Sequence, residues 1–294
     1  MRILRMIGAA VVAWALIGGS SGLVAQDQIT RYVRYQVGEQ VAFGVLDGET
    51  IREFAGDLFG DHQPTGRTVR RQDVRLLAPV DPSRVNKVLG VAINSRRAGR
   101  DSAVPHPRWF AKLPTSLNDP DGEIELPPEA SNLNYEGELV VVIGRKGRHI
   151  PRDSALAYVF GYTVGNDVSE NTWYGERQGD QDPTRLISKA ADTWAALGPE
   201  LVRGFEHRGR RVITRLNGEV VNQGTTDDLI NDVPNLISNI SRYVTLLPGD
   251  LLYTGTYRGV PGARRAFRAG DVVEVEIEGI GVLRNRIVAM RVPQ

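Results

Sequence analysis

The sequence predicts an α+β fold, and three observations support that class. Short runs rich in Val, Ile and Leu recur along most of the chain, and these residues favour extended strands. Segments with helical spacing of apolar residues are few. Strand and helix signals do not alternate, so a doubly wound parallel sheet is not expected. With 294 residues, 41% of them hydrophobic, the chain is long enough to bury a substantial core.

The N-terminal segment has the layout of a secretory signal peptide. Arg2 and Arg5 precede an apolar run from Met6 to Gly19, and small residues follow up to Ala25. The apolar run has about 14 residues, whereas a membrane helix needs roughly 20. We therefore expect residues 1–25 to be removed, with export to the periplasm or the exterior and no stable membrane span. The lack of cysteine suits an oxidising compartment.

The charge composition argues against a nucleic-acid partner. Lys and Arg together number 36 and Asp and Glu 35, for a net charge of +1. Such a balance produces no extended basic field that would attract a polyanion. A small-molecule ligand is the better expectation.

Residues 26–80 are predicted to form a small β-rich domain. Two alternating runs flank Asp47-Gly48, a dipeptide typical of a hairpin turn. Pro79 and Pro82 then indicate a boundary near Asp81. The main domain is predicted to cover residues 81–294.

The first part of the main domain combines buried strands with two polar loops. Val85–Asn94 is an apolar strand, and residues 95–109 form a polar, arginine-rich loop of the kind that covers a site. Asn171–Lys189, which includes Gln178, has no repeating apolar residues and is interpreted as a second loop over that site. The four histidines lie in no recognisable motif and are interpreted as surface residues.

The remaining elements follow from turn and cap signals. The sequence predicts a short helix from Pro151 to Tyr158 capped by Asp153 or Ser154, a hairpin around Asn217-Gly218, a helix from Val233 to Val244, and two final strands joined across Gly279-Ile280-Gly281.

Glu136 and Glu138 form the strongest candidate site. They stand two residues apart at the start of the apolar strand Leu139–Ile143, so both side chains point to one face with only Gly137 between them. Hard divalent cations prefer such oxygen-rich concavities. A second strand ends in Asp167, which supplies a third carboxylate. The alternative is a pair of ordinary solvated glutamates at a strand end.

An ordered series of motifs from about Val85 to the end resembles the fumarylacetoacetate hydrolase family. The motifs are NYEGELVVVIG, FGYTVGNDVS, SKAADTWAALGP, LNGEVVNQGTT, LPGDLLYTGT, RGVPG and EIEGIGVLRN. The resemblance implies a mixed β-roll or sandwich, a homodimer, and activity on 2-oxo acids or acylpyruvates. It also implies that Glu136, Glu138 and Asp167 bind one Mg²⁺ or Mn²⁺.

The same resemblance assigns further residues to the substrate. Lys189 matches the lysine of the family's G-K-S-x-D-T segment and would face the substrate, although Ser188 precedes it and Ala190 follows it. A cation there would offset the charge of a developing enolate. Gly255 and Thr256 match the turn that holds the substrate's carboxylate end. The alternatives are a surface lysine and an ordinary strand-end turn.

One segment departs from the family pattern. The hydrolases read V-G-x-N-Y-x-x-H-x-x-E there, and alignment on Asn94 puts Ala98 at the position of the histidine that activates water. Asp101 is a shorter substitute for the glutamate and is our candidate catalytic partner of Lys189. Arg97 in the same loop could bind a second substrate carboxylate, or could simply be solvated.

The sequence therefore predicts an exported, metal-dependent enzyme of the hydrolase or lyase type acting on a 2-oxo or β-diketo carboxylic acid. Decarboxylation and isomerisation need the metal without the lost histidine, and hydrolysis is weakened but stays open. The alternative is a catalytically silent exported protein that binds the metal and an oxo acid.

Overall fold

A computed structural model describes residues 29–96, 106–173, 182 and 184–291. The predicted signal peptide, Arg97, Ala98, Asp101 and Gln178 lie outside these residues. The described part is rich in mixed β-sheet and has few helices, which confirms the predicted α+β class.

The strands and helices are as follows. The strands are Thr30–Val37 (β1), Gln40–Asp47 (β2), Thr50–Gly56 (β3), His62–Arg70 (β4), Arg75–Leu77 (β5), Val88–Ala92 (β6), Arg108–Lys112 (β7), Leu117–Asn118 (β8), Glu123–Leu126 (β9), Leu133–Asn134 (β10), Gly137–Ile143 (β11), Val159–Asp167 (β12), Ser169–Glu170 (β13), Ala195–Arg203 (β14), Arg211–Leu216 (β15), Glu219–Thr225 (β16), Leu251–Tyr253 (β17), Arg258–Gly259 (β18), Val272–Ile277 (β19) and Gly281–Ala289 (β20). The α-helices are Leu186–Ala190 (α1) and Val233–Ser241 (α2).

The larger sheet of the described residues has twelve strands. Its main order is β4-β3-β2-β1-β14-β12-β11-β17-β6-β7, with β5 beside β1 and β8 beside β14. The N-terminal strands join it directly because β1 pairs antiparallel with β14, with Tyr32 opposite Leu201. The pairs β17–β6 and β14–β8 are parallel, so the sheet is mixed.

A second sheet has six strands within the described residues, in the order β18-β16-β15-β19-β20-β9. The predicted hairpin lies here, between β15 and β16. Asn217 and Gly218 both have positive φ angles, 53° and 85°, as a type I′ turn requires. The two predicted C-terminal strands are β19 and β20, which pair with each other.

Strand β11 is buried along its whole length because apolar cores cover both of its faces. Leu139 and Val141 pack in one core with residues of α2. Val140 and Val142 pack in the other core with residues of the N-terminal strands. This double burial explains the continuous apolar run in the sequence.

The helices differ in detail from the prediction. Helix α2 has Pro234 in its first turn, and Asp232 caps it by accepting the N–H of Asn235, but it ends at Ser241 rather than Val244. Residues 152–158 form a 3₁₀-helix, and no side chain caps its start, so the predicted cap by Asp153 or Ser154 is wrong. In the described part of the chain, no helix is long and apolar enough to cross a membrane.

His207 is not a surface residue. It is 8% exposed, its ring stacks on Tyr162, and its Nδ1 lies 3.1 Å from the Tyr162 hydroxyl. Burial lowers the pKa of His207, so the ring is neutral at neutral pH. The sequence carried no sign of this pairing because 45 positions separate the two residues.

Candidate metal centre

The structure brings Glu136, Glu138 and Asp167 together. One carboxylate oxygen from each lies within 4.8 Å of the other two. Pairing of β11 with β12 produces this meeting, because Gly137 lies opposite Asn166 and Glu138 opposite Gly165. The N–H of Asp167 also donates to the carbonyl of Glu136 at 2.8 Å, which ties the two strand ends together.

Gly137 allows β11 to approach the second sheet closely. A Cβ at this position would lie 2.4 Å from Thr214 Oγ1 and 2.8 Å from Val275 Cγ1, both on the second sheet. Any side chain would therefore push β11 away from β15 and β19.

Two lysines contact the carboxylates. Lys189 Nζ lies 2.8 Å from Glu136 Oε2 and 2.6 Å from Asp167 Oδ2. Lys112 Nζ lies 2.6 Å from Asp167 Oδ1 and 3.1 Å from the carbonyl of Val168. Both lysines are 2% exposed, so these ion pairs are shielded from solvent.

Sequence reasoning missed Lys112, although a signal for it existed. Lys112 ends β7, where alternation puts it on the same face as Phe110. The Phe110 ring in turn lies 4.5 Å from Lys189 Nζ. A lysine that alternates with an aromatic residue on a strand beside the site was therefore a candidate for an inward-facing cation.

The charges of the cluster shift the pKa values of its members. Burial, followed by the charges of Asp167 and Glu136, raises the pKa of Glu138 well above its usual value. Burial alone would raise the pKa of Asp167, but Lys112 and Lys189 hold it below its usual value. Burial would likewise lower the pKa of Lys189, but Asp167 and Glu136 raise it, so this lysine stays protonated.

The carboxylates fit a divalent cation. Glu138 is 1% exposed and contacts neither ammonium group; its Oε2 accepts the N–H of Gly255 at 2.7 Å. A buried carboxylate without a cationic partner is costly. With Glu138 ionised, three carboxylates against two ammonium groups also leave one negative charge in excess. A cation bound by these oxygens would satisfy Glu138 and reverse that excess.

Cation binding should strengthen as pH rises. Without a cation, the raised pKa of Glu138 means that this carboxyl group stays protonated at pH values where an ordinary glutamate has lost its proton. A bound cation requires the ionised form, so protons and metal compete, and the apparent affinity falls as pH falls through that pKa. Calorimetric titration of Mn²⁺ between about pH 5.5 and 8 measures this dependence, together with the proton released on binding. A flat profile would contradict it.

The predicted substrate turn lies beside the carboxylates. The Thr256 hydroxyl donates to the carbonyl of Gly137 at 3.2 Å, and the Gly255 N–H is directed at Glu138. Lys189, Gly255 and Thr256 thus border the cluster, whereas Arg97, Asp101 and Gln178 lie outside the described residues. The substrate and catalytic roles of all six remain predictions.

The fold is rich in β-sheet, and it buries carboxylates and lysines together at the end of a central strand. A buried polar centre of this kind is typical of enzymes. Residues 87–288 match the family model described as fumarylacetoacetate (FAA) hydrolase C-terminal, and residues 30–79 match one described as Rv2993c-like, N-terminal. The chain belongs to the fumarylacetoacetate hydrolase family, as its motifs predicted.

Similar proteins include enzymes with different reactions. Over 227 residues the chain is 38% identical to the human mitochondrial oxaloacetate tautomerase FAHD2A, covering 74% of this chain and 71% of that protein. It is 38% identical over 263 residues to protein Rv2993c of Mycobacterium tuberculosis, covering 84% and 94%. The crystal structure of 2-hydroxyhepta-2,4-diene-1,7-dioate isomerase from Mycobacterium marinum superposes with a TM-score of 0.78 at 35% identity, covering 88% of this chain and 98% of that one.

Proposed function

We propose that this protein is a divalent-metal-dependent enzyme that interconverts the oxo and enol forms of a small 2-oxo or β-diketo carboxylic acid. The observation that carries the proposal is the cluster of Glu136, Glu138 and Asp167 with two buried lysines. Tautomerisation or isomerisation is favoured over C–C hydrolysis because Ala98 aligns with the histidine that activates water. The relatives named as a tautomerase and an isomerase support that choice.

In this proposal Glu136, Glu138 and Asp167 hold one Mg²⁺ or Mn²⁺. When bound, that ion would polarise the oxygens of the oxo acid and stabilise negative charge on them. Glu136 is the most exposed of the three, with 18% of its side chain accessible against none for Asp167. It therefore marks the side from which a substrate would approach.

Lys189 supplies a fixed positive charge at this side of the site. Its Nζ is bound to Glu136 and Asp167, and these carboxylates keep it protonated. When a water molecule takes a proton from the carbon next to the carbonyl, negative charge develops on the enolate oxygen, and a preorganised ammonium stabilises that charge. Return of that proton to the enolate oxygen then gives the enol.

Lys112 has a different role because its side chain is completely buried. It binds Asp167 Oδ1 and the carbonyl of Val168, which is the residue after β12. These contacts hold one carboxylate oxygen of Asp167, while Lys189 binds the other. Lys112 is therefore proposed as a residue that orients a metal ligand.

The test is turnover of the purified chain with Mg²⁺ or Mn²⁺, with and without chelator. The panel contains oxaloacetate, whose oxo and enol forms differ in ultraviolet absorption, together with acylpyruvates and fumarylpyruvate. We expect chelator-sensitive oxo–enol exchange without cleavage of the carbon chain. Chain cleavage would instead favour a hydrolase or decarboxylase. Thermal stabilisation by these acids and metal without any turnover would favour the silent binding protein.

We also propose that the protein is exported and forms a homodimer. Fractionation with N-terminal sequencing tests the first statement, and full-length protein in the cytoplasm would contradict it. Light scattering coupled to size-exclusion chromatography tests the second.

A further inference from the structure

Asn94 uses the full hydrogen-bonding capacity of its side-chain amide. Its Nδ2 donates to the carbonyl of Thr254 at 2.7 Å and to that of Asn231 at 3.0 Å. Its Oδ1 accepts from the N–H of Asn231 at 2.9 Å and from Asn231 Nδ2 at 3.0 Å. Exchanging the oxygen and nitrogen would bring its oxygen against two carbonyl oxygens, so only one orientation is possible. Asn94 is 1% exposed, and water does not compete for these bonds.

The Thr254–Gly255 peptide connects this amide to the carboxylate cluster. The carbonyl of Thr254 and the N–H of Gly255 belong to one peptide unit, and in a trans peptide they point in opposite directions. Asn94 binds the carbonyl side at 2.7 Å, and Glu138 Oε2 accepts the N–H side at 2.7 Å. A chain of hydrogen bonds therefore runs from Asn94 through one rigid peptide to Glu138. Such chains strengthen each bond by mutual polarisation.

The surrounding backbone fits this arrangement. Gly255 has φ +107°, which residues with a side chain rarely adopt, and a Cβ there would lie 2.8 Å from Asn94 Cβ. The Thr254 hydroxyl donates to the carbonyl of Leu139, the residue after Glu138. The peptide is thus attached to β11 beside the carboxylate that it contacts.

We propose that Asn94 is a positioning residue for Glu138, acting through the Thr254–Gly255 peptide. The fixed N–H holds Glu138 Oε2, while among the described residues Oε1 accepts no hydrogen bond and is left to face a cation. Loss of a partner that orients a metal ligand typically weakens metal binding by about 10–100-fold. The inference rests on the proposed metal site. The hydrogen bond from the Gly255 N–H to Glu138 Oε2 does not itself depend on a cation.

The experiment compares Asn94→Ala with Asn285→Ala. Asn285 is a matched control, because it is also 1% exposed and its Nδ2 also donates to two backbone carbonyls, those of Asp119 and Gly122. It lies on the second sheet and contacts none of the carboxylates. Two quantities are measured on each folded variant: the affinity for Mn²⁺ by calorimetry, and the hydrogen-exchange rate of the Gly255 amide by NMR in metal-free protein.

We expect Asn94→Ala to weaken Mn²⁺ binding by about tenfold or more and to speed exchange at Gly255. Asn285→Ala should change neither quantity, although both variants lose stability. Unchanged affinity and exchange in Asn94→Ala would overturn the inference. If the wild type binds no Mn²⁺ but Gly255 still exchanges faster in Asn94→Ala, the positioning by Asn94 stands and the metal site falls. Should Asn94→Ala not fold, Asn94→Leu, which keeps the side-chain volume and loses every hydrogen bond of the amide, replaces it.

Discussion

Replacing Lys189 with alanine is expected to lower kcat by about 10²–10³-fold, the usual effect of losing one preorganised charge at a developing oxyanion. Lys189 is the cation placed between Glu136 and Asp167, and these carboxylates keep it protonated. Without it, negative charge on an enolate oxygen would lose one of the two cations that stabilise it in the proposed site. Steady-state kinetics with the substrate identified from the panel measures the loss.

The affinity of Lys189→Ala for Mn²⁺ distinguishes a catalytic role of Lys189 from a structural one. The Lys189 ammonium contacts two of the three carboxylates that would hold the cation. Its removal leaves those oxygens more negative, so Mn²⁺ affinity should stay the same or increase while turnover falls. Loss of Mn²⁺ binding in Lys189→Ala would mean that the lysine supports the fold of the site, and would contradict the catalytic role.

Lys87→Ala is the matched control for this experiment. Lys87 also forms an ion pair with a buried carboxylate, Asp250, at 2.8 Å. That pair lies away from the carboxylate cluster, so its loss should reduce stability and leave kcat unchanged. A similar fall in kcat for both variants would attribute the effect to general loosening of the protein.

The carboxylate cluster could be predicted because each member lies at the end of a strand that the sequence marks clearly. Glu136 and Glu138 precede a continuous apolar run, and Asp167 ends another. Period-two alternation then fixes which side chains share a face. Only the antiparallel pairing of β11 with β12 had to be supplied by the structure, and consecutive strands are often neighbours in a sheet.

The contacts around the cluster could not be predicted in the same way. Lys112 reaches Asp167 across 55 positions of sequence, and Asn94 reaches Thr254 across 160. Their partners depend on the parallel pairing of β6 with β17 and on the placement of β7 beside β6. No local pattern specifies such pairings, because the propensities of a strand do not say which strand lies next to it.

The second large effect is expected for Asp167→Asn, which should lower the free energy of unfolding by about 3–5 kcal/mol, the usual cost of breaking a buried ion pair. Both Lys112 and Lys189 form ion pairs with Asp167. Among the described residues, Asp167 is the one carboxylate that Lys112 contacts. The variant leaves the buried Lys112 ammonium without an ionised partner, because the carbonyl of Val168 and the introduced amide oxygen are both neutral. Mn²⁺ should also cease to raise the unfolding temperature, since one of its three ligands is neutral.

Asp250→Asn is the control, because Lys87 retains 24% exposure and can turn to water once its partner is neutral, whereas the Lys112 side chain has no exposure. We therefore expect a smaller loss of stability for Asp250→Asn, with stabilisation by Mn²⁺ intact.

The pH dependence of stability distinguishes Asp167→Asn from Asp250→Asn further. Burial already lowers the pKa of Lys112, and losing Asp167 removes the main charge that opposes this effect. The unfolded chain then binds more protons than the folded one, so the destabilisation of Asp167→Asn should shrink as pH rises towards the usual lysine value of 10.5. Chemical denaturation of both variants at a series of pH values up to the usual lysine pKa measures the free energy of unfolding. If the destabilisation of Asp167→Asn does not change with pH, Lys112 is not the uncompensated charge.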